Sequence, residues 1–393
     1  MIERTLQKEI LRLASKFPVV SVTGPRQSGK TTLIRHTFPD YTYTSLEDPD
    51  IRLFAETDPR GFLSADKPMV IDEIQRVPQL FSYLQTITDQ QKSNGQFIIS
   101  GSQSFLLNER ISQSLAGRVA ILHLLPLSYN ELKRYGIVFS SHNDLIFKGF
   151  FPRVYDHDIA ASDFYPSYIQ TYVERDVRLL QQIQNLSQFI RFMKLCAGRT
   201  GQLLNLSSLA NDAGVSVNTA KAWISVLEAS FVVFLLQPHY ENFNKRLVKM
   251  PKLYFHDTGL ACALLDLQSS AQLQTHYLVG GLFENFIISE LLKTRYNSGQ
   301  RSNCYFWRDH KGKEIDCVLD FGQLLKPIEI KATTTFTENL FNNINYWNKL
   351  SGNLPEHASV IYGGDKSFVT KHGQLLSWRE MGAMAASSNV MNV

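Results

Sequence analysis

The sequence lacks the signals of membrane-bound and secreted proteins. A membrane-spanning helix needs about 18 or more consecutive apolar residues, and the longest apolar run here, from Phe231 to Leu236, falls far short of that length. The first ten residues, MIERTLQKEI, include two glutamates and no apolar core, so we expect no signal peptide. These absences predict a protein of the cytoplasm without a membrane segment.

The sequence also lacks a large net charge and closely spaced pairs of cysteines. The 40 lysines and arginines are nearly balanced by 36 aspartates and glutamates, which leaves a formal net charge of only +4. Such a charge gives no sign of a general affinity for polyanions, so any nucleic-acid surface would have to be local. The four cysteines form no CxxC pair, which argues against a zinc site or a disulfide framework and favours reduced thiols.

The first third of the sequence does contain an alternation of short apolar segments with helical stretches. The 393 residues leave room for two or three domains. Apolar spacing predicts an amphipathic helix over residues 2–17, and four segments then have the character of strands: Val19–Thr23, Tyr41–Ser45, Met69–Asp72 and Phe97–Ser100. This alternation predicts an α/β fold, in which a parallel sheet carries helices on both faces.

The most specific motif follows the first of these strands. Residues 24–31 read GPRQSGKT, which matches GxxxxGK[S/T] in full, with an apolar strand before it and a helical stretch after it. Gly24 and Gly29 let backbone N–H groups approach phosphate oxygens closely. Lys30 can reach the β- and γ-phosphates, and the Thr31 hydroxyl can bind Mg²⁺. The predicted nucleotide-contacting residues of this loop are Gly24, Pro25, Arg26, Gln27, Ser28, Gly29, Lys30, Thr31 and Thr32.

A second pattern supports the same site. The segment MVIDEI ends an apolar strand in two adjacent carboxylates, Asp72 and Glu73, and buried charges of this kind rarely occur without a use. In P-loop enzymes a carboxylate at this point helps to hold Mg²⁺. Asp72 is therefore the predicted metal ligand, and Glu73 is the predicted general base. A later strand, FIISGS, ends in Ser100 and Ser102, and either hydroxyl can serve as a polar sensor near the γ-phosphate.

With GPRQSGKTTL, MVIDEIQRVP, FIISGSQSFLL and SLAGR (Ser114–Arg118), the sequence resembles a large prokaryotic family of AAA+-type P-loop ATPases, over nearly the whole chain. The resemblance implies a five-stranded core sheet, bound ATP and Mg²⁺, and Glu73 as the catalytic carboxylate. It also implies self-association, in which a catalytic arginine of one copy reaches the γ-phosphate bound by another. Arg118 is the first candidate for that arginine and Arg175 is the second. In this family, helical and winged-helix segments and a restriction-endonuclease-like α/β domain follow the ATPase core.

The middle of the chain contains a helix-turn-helix pattern. Ser207 or Ser208 is expected to begin the first helix, Gly214 to lie in the turn and Ser216 to cap the second helix. The predicted buried face of the second helix consists of Val217, Ala220, Ile224 and Leu227. Lys221 is the one cation among its predicted exposed residues, which leaves two interpretations open: a winged helix that contacts DNA and a purely structural one.

The last third of the chain has the pattern of a helix followed by strands. The helix is predicted over Leu282–Arg295, and the strands are predicted at Cys304–Arg308, Glu314–Leu319 and Pro327–Lys331. Glu329 and Lys331 are two residues apart on the last strand, so both point to one face. The preceding strand carries Asp316, a turn region containing Gly322 suits a hairpin between the two strands, and Glu284 lies near the start of the helix.

The order Glu…Asp…Glu-x-Lys resembles that of PD-(D/E)xK nuclease domains. The resemblance implies that Asp316 and Glu329 hold Mg²⁺, that Glu284 supports the metal or its shell, and that Lys331 orients the attacking water. Ile315 stands where a proline often precedes the aspartate in this motif. An edge strand with mixed charges is the alternative, because short E-x-K pairs also arise by chance.

The predicted domains are an ATPase core at 1–127, a helical segment at 128–195, a helix-turn-helix segment at 196–245, a nuclease-like domain at 246–380 and a flexible tail at 381–393. The predicted function is Mg²⁺-dependent ATP hydrolysis coupled to the binding, and potentially the cleavage, of nucleic acid, with DNA as the expected partner. Two alternatives stay open. One is an ATP-gated regulatory switch whose nuclease-like domain is an inactive scaffold, and the other is a small-molecule kinase.

Overall fold

The structure of the protein is a computed structural model that describes residues 2–64, 66–102, 114–172, 185–240 and 248–381. The chain divides into two compact units. The amino-terminal unit comprises Met1–Leu127, Ala229–Phe231 and Tyr296–Gln300. The carboxy-terminal unit comprises Ser128–Glu228, Val232–Arg295 and Arg301–Val393. Apart from Met381, the predicted tail lies outside the described residues.

A five-stranded sheet forms the centre of the amino-terminal unit. Its strands are β1 (Val19–Thr23), β2 (Thr42–Ser45), β3 (Met69–Asp72), β4 (Phe97–Gly101) and β5 (Val119–His123). The helices are α1 (Gln7–Ala14), α2 (Lys30–Thr37), α3 (Pro49–Thr57), α4 (Pro59–Leu63) and α5 (Leu80–Gln91), with a 3₁₀ turn at Ile74–Arg76. The strand order is β2-β3-β4-β1-β5, and all neighbours run parallel. The predicted parallel α/β sheet is thereby confirmed.

Alternate strand residues face opposite sides of this sheet and build two apolar cores. On one side, Val19 and Ile71 pack with residues of α4 and α5. On the other side, Val20 and Val70 pack with residues of α1 and α2. Helices therefore cover both faces, as predicted, because the inner strands β1, β3 and β4 are buried along their whole length.

Two details of this unit differ from the sequence prediction. The helix predicted over 2–17 is formed only at Gln7–Ala14, because turns occupy the residues on either side of it. Strand β5 was not predicted. It is an outer strand whose central residue, Ile121, is 39% exposed, so it lacks the continuous apolar run by which the inner strands were recognised.

The first part of the carboxy-terminal unit is helical. Its helices are α6 (Tyr129–Arg134), α7 (His142–Lys148), α8 (Pro152–Asp156), α9 (Ala161–Tyr172), α10 (Leu186–Ala197), α11 (Leu206–Ala213) and α12 (Val217–Ala229). Two antiparallel strands follow, β6 (Val233–Leu236) and β7 (Lys252–Phe255), and then α13 (Thr258–Leu264). In the part of the chain that the structure describes, no helix combines the length and the apolar character that crossing a bilayer requires.

The turn between α11 and α12 matches the helix-turn-helix pattern in most respects. Gly214 adopts a left-handed conformation with φ of 71°, and the Ser216 hydroxyl accepts a hydrogen bond from the Thr219 N–H at 3.0 Å. The predicted start of α11 was wrong, because Asn205 caps this helix by accepting from the Ser208 N–H at 3.0 Å.

The predicted buried face of α12 is confirmed for three of its four residues. Ala220, Ile224 and Leu227 are buried, whereas Val217 is 46% exposed. Val217 lies in the first turn of the helix, and the buried ring of Trp223 packs against aromatic residues of α10 instead.

A second sheet, of six strands, completes the carboxy-terminal unit. The strands are β8 (Cys304–Arg308), β9 (Glu314–Asp320), β10 (Leu325–Lys331), β11 (Ser359–Tyr362), β12 (Phe368–Thr370) and β13 (Gly373–Ser377). Two helices accompany them, α14 (Val279–Asn297) and α15 (Asn342–Ser351), with 3₁₀ segments at Ser270–Gln274, Glu338–Phe341 and Pro355–His357. The order is β12-β13-β11-β10-β9-β8.

The predicted hairpin between the second and third of these strands is confirmed. Strands β9 and β10 are antiparallel, with Leu325 opposite Asp320, and Gly322 in the turn has φ of 82°. The residue range predicted for β8 is the observed one. The border expected between residues 245 and 246 falls between β6 and β7, two strands that pair with each other.

One buried side chain holds strand β7 against helix α14. The amide of Asn285 is fully buried, accepts from the Phe255 N–H at 2.7 Å and donates to the Phe255 carbonyl at 2.8 Å. The opposite edge of β7 pairs with β6, so Asn285 satisfies the backbone groups that β6 leaves unmatched.

We expect Asn285→Ala to destabilise the carboxy-terminal unit, because the N–H and the carbonyl of Phe255 would then be buried without these hydrogen bonds. A loss of about 2 kcal/mol corresponds to a fall of roughly 4–8 °C in the melting temperature of a unit of this size. Differential scanning calorimetry measures it. Asn218→Ala, at an exposed position of α12, is the control and should change stability by less than about 0.5 kcal/mol. Equal effects of the two substitutions would contradict the role of Asn285.

Candidate functional site

The GPRQSGKT loop connects β1 to α2 at the carboxyl end of β1. A Cβ atom on Gly24 would lie 2.1 Å from the Leu124 carbonyl oxygen, so only glycine fits there. Gly29, which directly precedes α2, has φ of 90°, a conformation that favours glycine. The loop therefore leads into the positive end of the α2 dipole, where backbone N–H groups favour a bound anion.

Lys30 lies inside this loop. Its side chain is buried, and its Nζ donates to the carbonyl oxygens of Gly24 and Pro25, both at 2.8 Å. The two carbonyl oxygens keep the ammonium group on the inner side of the loop, where the sequence pattern predicted a phosphate-binding cation.

Arg4 supports the same loop from an unexpected part of the chain. Its buried guanidinium donates to the Ser28 carbonyl at 2.7 Å and to the Leu125 carbonyl at 2.6 Å. It thus connects the loop with the segment after β5. The sequence analysis did not identify Arg4, because the fold alone brings it to the loop. The available signal was weak, because Arg4 follows another charged residue, Glu3, between Ile2 and Leu6 of the apolar face.

Asp72 is the centre of the polar network at the carboxyl ends of the strands. Its Oδ2 accepts from the Thr31 hydroxyl at 2.7 Å and from the Tyr43 hydroxyl at 2.9 Å, and its Oδ1 accepts from the Ser100 hydroxyl. Burial, and then the charge of Asp72, raises the pKa of Tyr43 to about 12. Thr31 and Asp72 present adjoining hard oxygen donors, so their chemistry fits the Mg²⁺ that was predicted here.

Glu73 is held beside this network in an unusual backbone conformation. Its φ of 56° lies in the left-handed region, which is rare for a residue with a side chain. The carboxylate is buried and accepts from the Gln75 side-chain amide and from the Ser102 hydroxyl at 3.3 Å. A strained conformation fixed by its surroundings is typical of functional residues. Tyr43 and Gln75 were not identified from the sequence.

The other predicted contact residues of the loop are arranged around it. Ser28 is buried, whereas Gln27 and Thr32 are exposed. A nitrogen of Arg26 lies 3.8 Å from a carboxylate oxygen of Glu47. The predicted nucleotide-contacting residues 24–32 therefore form one contiguous loop at the carboxyl end of β1, with Gln27 and Thr32 on its surface, and Asp72 joins Thr31 of this loop to Ser100.

Arg118 lies away from this surface. It immediately precedes β5, and the register pairs Val119 with Val19, the first residue of β1. The loop follows the last residue of β1, so Arg118 is separated from it by roughly 15 Å along the strands. Its guanidinium forms two bonds to Asp89, at 2.6 and 3.1 Å. Arg175, the second candidate, lies outside the described residues.

The carboxy-terminal unit brings together all four residues of its predicted site in a second polar region. Lys331 Nζ lies 3.0 Å from Asp316 Oδ2 and 2.6 Å from Glu329 Oε2, and Asp316 also accepts from the Ile330 N–H at 2.8 Å. Glu329 is fully buried. Burial, and then the charge of Asp316, raises the pKa of Glu329 to about 8.

Glu284 lies beside Asp316, with partners that the sequence analysis did not include. Its Oε1 accepts from Lys252 Nζ at 2.9 Å and from the Tyr254 hydroxyl. Lys252 also contacts Glu314. Burial raises the pKa of Glu284 to about 7, with a further contribution from Asp316. The signal that was missed is the strand Lys252–Phe255, in which a lysine and a tyrosine alternate with apolar residues and share one face.

Carboxylate oxygens of Glu284, Glu314 and Asp316 all lie within 4.8 Å of one another, and we call these three residues the carboxylate cluster. It differs from the predicted metal ligands, because it contains Glu314 and lacks Glu329. Oxygen donors at this spacing fit a hard divalent cation in kind. The ammonium group of Lys252, however, contacts two of the three.

Three known protein families match consecutive parts of the chain. One described as an AAA domain matches residues 16–133. Two described as domains of unknown function, DUF8612 and DUF4143, match residues 140–271 and 279–381. The AAA match contains the loop, Asp72 and Glu73, so the amino-terminal unit is an AAA domain of the P-loop ATPase type.

Two solved structures illustrate how far the likeness of fold extends. The Walker-type ATPase PABY2304 of Pyrococcus abyssi is 11% identical, with a TM-score of 0.47 over 67% of this chain and 96% of its own. AMPPCP-bound DnaA from Aquifex aeolicus is 14% identical, with a TM-score of 0.26 over 57% of this chain and 85% of its own. Because both TM-scores are below 0.5, neither structure bears on function.

Two curated relatives resemble the chain over most of its length. The uncharacterized proteins Rv2008c of Mycobacterium tuberculosis and Mb2031c of Mycobacterium bovis are each 32% identical to it over 340 residues, which cover 84% of this chain and 74% of the relative. The similarity extends well beyond the AAA domain. The chain therefore belongs to the same family as Rv2008c and Mb2031c.

Proposed function

We propose that the amino-terminal unit binds ATP together with Mg²⁺ and hydrolyses it. The observation that carries this proposal is the network on Asp72, in which one buried carboxylate joins the Thr31 hydroxyl of the loop to Ser100 of β4. A carboxylate that is already bonded to the loop threonine is placed to share a cation with it. Bound Mg²⁺ would neutralise charge on the β- and γ-phosphates.

The other residues of the loop have roles that follow from their present bonds. The Lys30 ammonium group is satisfied by two neutral carbonyls, and a phosphate oxygen offers it a charged acceptor instead. Arg4 holds the Ser28 carbonyl, which helps to fix the backbone of the loop before phosphate binds. Binding thus requires little movement of the loop backbone.

Glu73 is the proposed general base. Its carboxylate is buried next to Asp72 and is oriented by Gln75 and Ser102, so it is fixed in position and accepts hydrogen bonds. In this role it takes a proton from the attacking water while that water forms a bond to the γ-phosphorus and the bond from this phosphorus to the β–γ bridging oxygen breaks, which releases ADP and phosphate. A positioned base of this kind accelerates a reaction about 10²- to 10⁴-fold.

We expect Glu73→Gln to bind ATP with wild-type affinity and to hydrolyse it about 10²- to 10⁴-fold more slowly. Lys30→Ala should instead lose tight ATP binding. Phosphate release and binding of a fluorescent ATP analogue measure the two effects, and Glu56→Gln, at an exposed position of α3, is the control. Inorganic phosphate should account for all the ATP consumed, since a small-molecule kinase would form a phosphorylated product. Wild-type turnover by Glu73→Gln would contradict the assignment of the base.

We also propose that the ATP-bound protein self-associates, with Arg118 acting on the nucleotide of a neighbour. Arg118 lies at the amino end of β5, away from the loop of its own chain, so within one copy it does not serve the loop. Its bonds to Asp89 are partly exposed and can be exchanged for contacts with another copy.

We further place the protein in the cytoplasm, which the four buried cysteines without disulfides favour.

For the carboxy-terminal unit we propose a winged helix and a nuclease-like domain that contacts nucleic acid, with DNA as the expected substrate. The order of elements supports this, because the helices α10, α11 and α12 are followed by the β6–β7 hairpin, and α14 is followed by the β8–β9–β10 meander. The specific observation is that Glu284 of α14, Asp316 of β9, and Glu329 and Lys331 of β10 meet in one polar region. Lys331 would orient the attacking water there.

The helix-turn-helix itself offers few cations to a nucleic acid. Lys221 is exposed, as are Arg191 and Lys249 on either side of the motif, but Lys194 is paired with Asp266 at 2.7 Å and Arg199 is paired with Asp212. Lys245 and Arg246 lie outside the described residues. This inventory favours a structural role for α12 and assigns the main contact with nucleic acid to the nuclease-like domain.

We expect slow cleavage of DNA by the wild-type protein with Mg²⁺ or Mn²⁺, and none with Asp316→Ala or Lys331→Ala. Labelled DNA and RNA substrates, run in parallel with a chelator control, measure it. Lys366→Ala, at an exposed position, is the matched control and should cleave normally. Cleavage that persists in both variants, or no cleavage under any condition, would instead favour the ATP-gated regulatory switch with an inactive scaffold.

A further inference from the structure

Lys252 is the most deeply buried cation of the second polar region. It is 3% exposed and is surrounded by strands and helices of the carboxy-terminal unit. Its Nζ lies 2.9 Å from Glu284 Oε1 and also contacts Glu314 Oε1. Burial alone would lower the pKa of Lys252, but the carboxylates of Glu284, Glu314 and Asp316 outweigh it and raise the pKa, so the lysine is charged.

This ammonium group contacts two of the three carboxylates that a divalent metal ion would need as ligands. The three carboxylates of the cluster have oxygens within 4.8 Å of one another, and like charges at that spacing repel unless a cation lies between them. Magnesium ligands lie about 2.0–2.1 Å from the ion, so an ion bound to Glu284 and Glu314 would lie in the space that Nζ fills. The lysine and a divalent cation therefore exclude each other.

The other nearby cations do not take this place. Lys331 pairs with Asp316 and Glu329, and Arg308 pairs with the second oxygen of Glu314 at 3.1 Å. Their side chains are 35% and 37% exposed, whereas Lys252 contacts two members of the cluster from the protein interior. Lys252 is thus the cation by which the centre of the cluster is neutralised.

The backbone of Lys252 is fixed by the helix-turn-helix segment rather than by the nuclease-like sheet. Strand β7 pairs with β6, in which Leu236 lies opposite Lys252, and Leu203 forms a bridge to Lys252 from the other side. Asn285 attaches the far end of β7 to α14. Withdrawal of the lysine thus requires a movement of its side chain or of the β6–β7 hairpin.

We propose that Lys252 is the resident cation of the carboxylate cluster and that it keeps divalent metal ions out until it is displaced. The biological meaning of this proposal rests on the function proposed for the nuclease-like domain. If that domain cleaves nucleic acid, Lys252 makes the access of the metal ion the regulated step. The cluster is a metal site whose third ligand is Glu314 and whose occupancy is set by a lysine on the β6–β7 hairpin.

The test is to replace the lysine with the uncharged Lys252→Met and to titrate Mn²⁺ into the nucleotide-free, full-length protein. Electron paramagnetic resonance counts the bound ions, and the melting temperature in chelator and in Mn²⁺ gives a second readout that needs no activity. Wild type and variant have the same P-loop, so the difference between them reports on the carboxy-terminal unit. Lys252→Met/Glu314→Gln removes one ligand of the cluster and is the matched control.

We expect Lys252→Met to gain one Mn²⁺ site at least tenfold tighter than any wild-type site outside the P-loop. It should melt below the wild type in chelator and recover in Mn²⁺, whereas the double variant should gain neither property. Equal Mn²⁺ binding by wild type and Lys252→Met would overturn the proposal, even if the wild type cleaves DNA. Tight Mn²⁺ binding by Lys252→Met without cleavage of DNA would support the role of Lys252 as the resident cation. It would contradict only the proposed nuclease activity.

Poor folding of Lys252→Met leaves the proposal testable. Lys252→Gln keeps a polar side chain and should behave in the same way. If neither variant folds in chelator, Mn²⁺ added during refolding should recover soluble protein, and its failure to rescue both would overturn the proposal.

Discussion

The structure of the amino-terminal unit depends on the hydrogen bonds to one buried carboxylate, that of Asp72. Without hydrogen-bond donors, this buried carboxylate would destabilise the folded state by several kcal/mol. Its three hydroxyl donors come from three different elements: Thr31 from α2, Tyr43 from β2 and Ser100 from β4. Because β2 and β4 are the two neighbours of β3, the network joins the carboxyl ends of three adjacent strands to the loop helix. The site and the sheet are therefore stabilised by the same bonds.

The two polar regions of the chain meet this need in different ways. At Asp72 the donors are neutral hydroxyls, so the negative charge is kept and a cation is attracted to it. In the carboxylate cluster the donors include the ammonium group of Lys252, so the charge is largely cancelled within the protein. Hydroxyl donors suit a site that must accept a metal with every nucleotide, and an ammonium group suits one that must stay closed until the chain rearranges.

The sequence predicted those parts of the fold that local patterns specify. The loop from Gly24 to Thr31 is contiguous, and β1 and β3 are short apolar runs at a buried position, so they were identified with their bounds. Strand β5 was not, since an outer strand is only half buried and Ile121 faces outward. The start of α11 was placed wrongly because Ser207, Ser208 and Asn205 are all good caps, and the packing decides between them.

The parts of the sites that were missed depend on contacts between distant segments. Arg4 reaches the loop from about 24 residues away, and Lys252 reaches Glu284 from β7, a strand that was not predicted. No local pattern indicates such a partner, because its position follows from the register of β7 against β6. The pattern Glu284, Asp316, Glu329 and Lys331 was visible because the spacing on strands is regular, while Glu314 was passed over on the same strand as Asp316.

Thr31 and Asp72 together form the proposed Mg²⁺ site on which ATP binding depends. The most direct measurement is the affinity for a fluorescent ATP analogue with and without Mg²⁺, in the wild type and in Thr31→Val. In the wild type Mg²⁺ should tighten binding by about tenfold or more, equivalent to about 1.4 kcal/mol, and in Thr31→Val this gain should largely disappear. A wild-type affinity that does not change with Mg²⁺, or a full gain in Thr31→Val, would contradict the account.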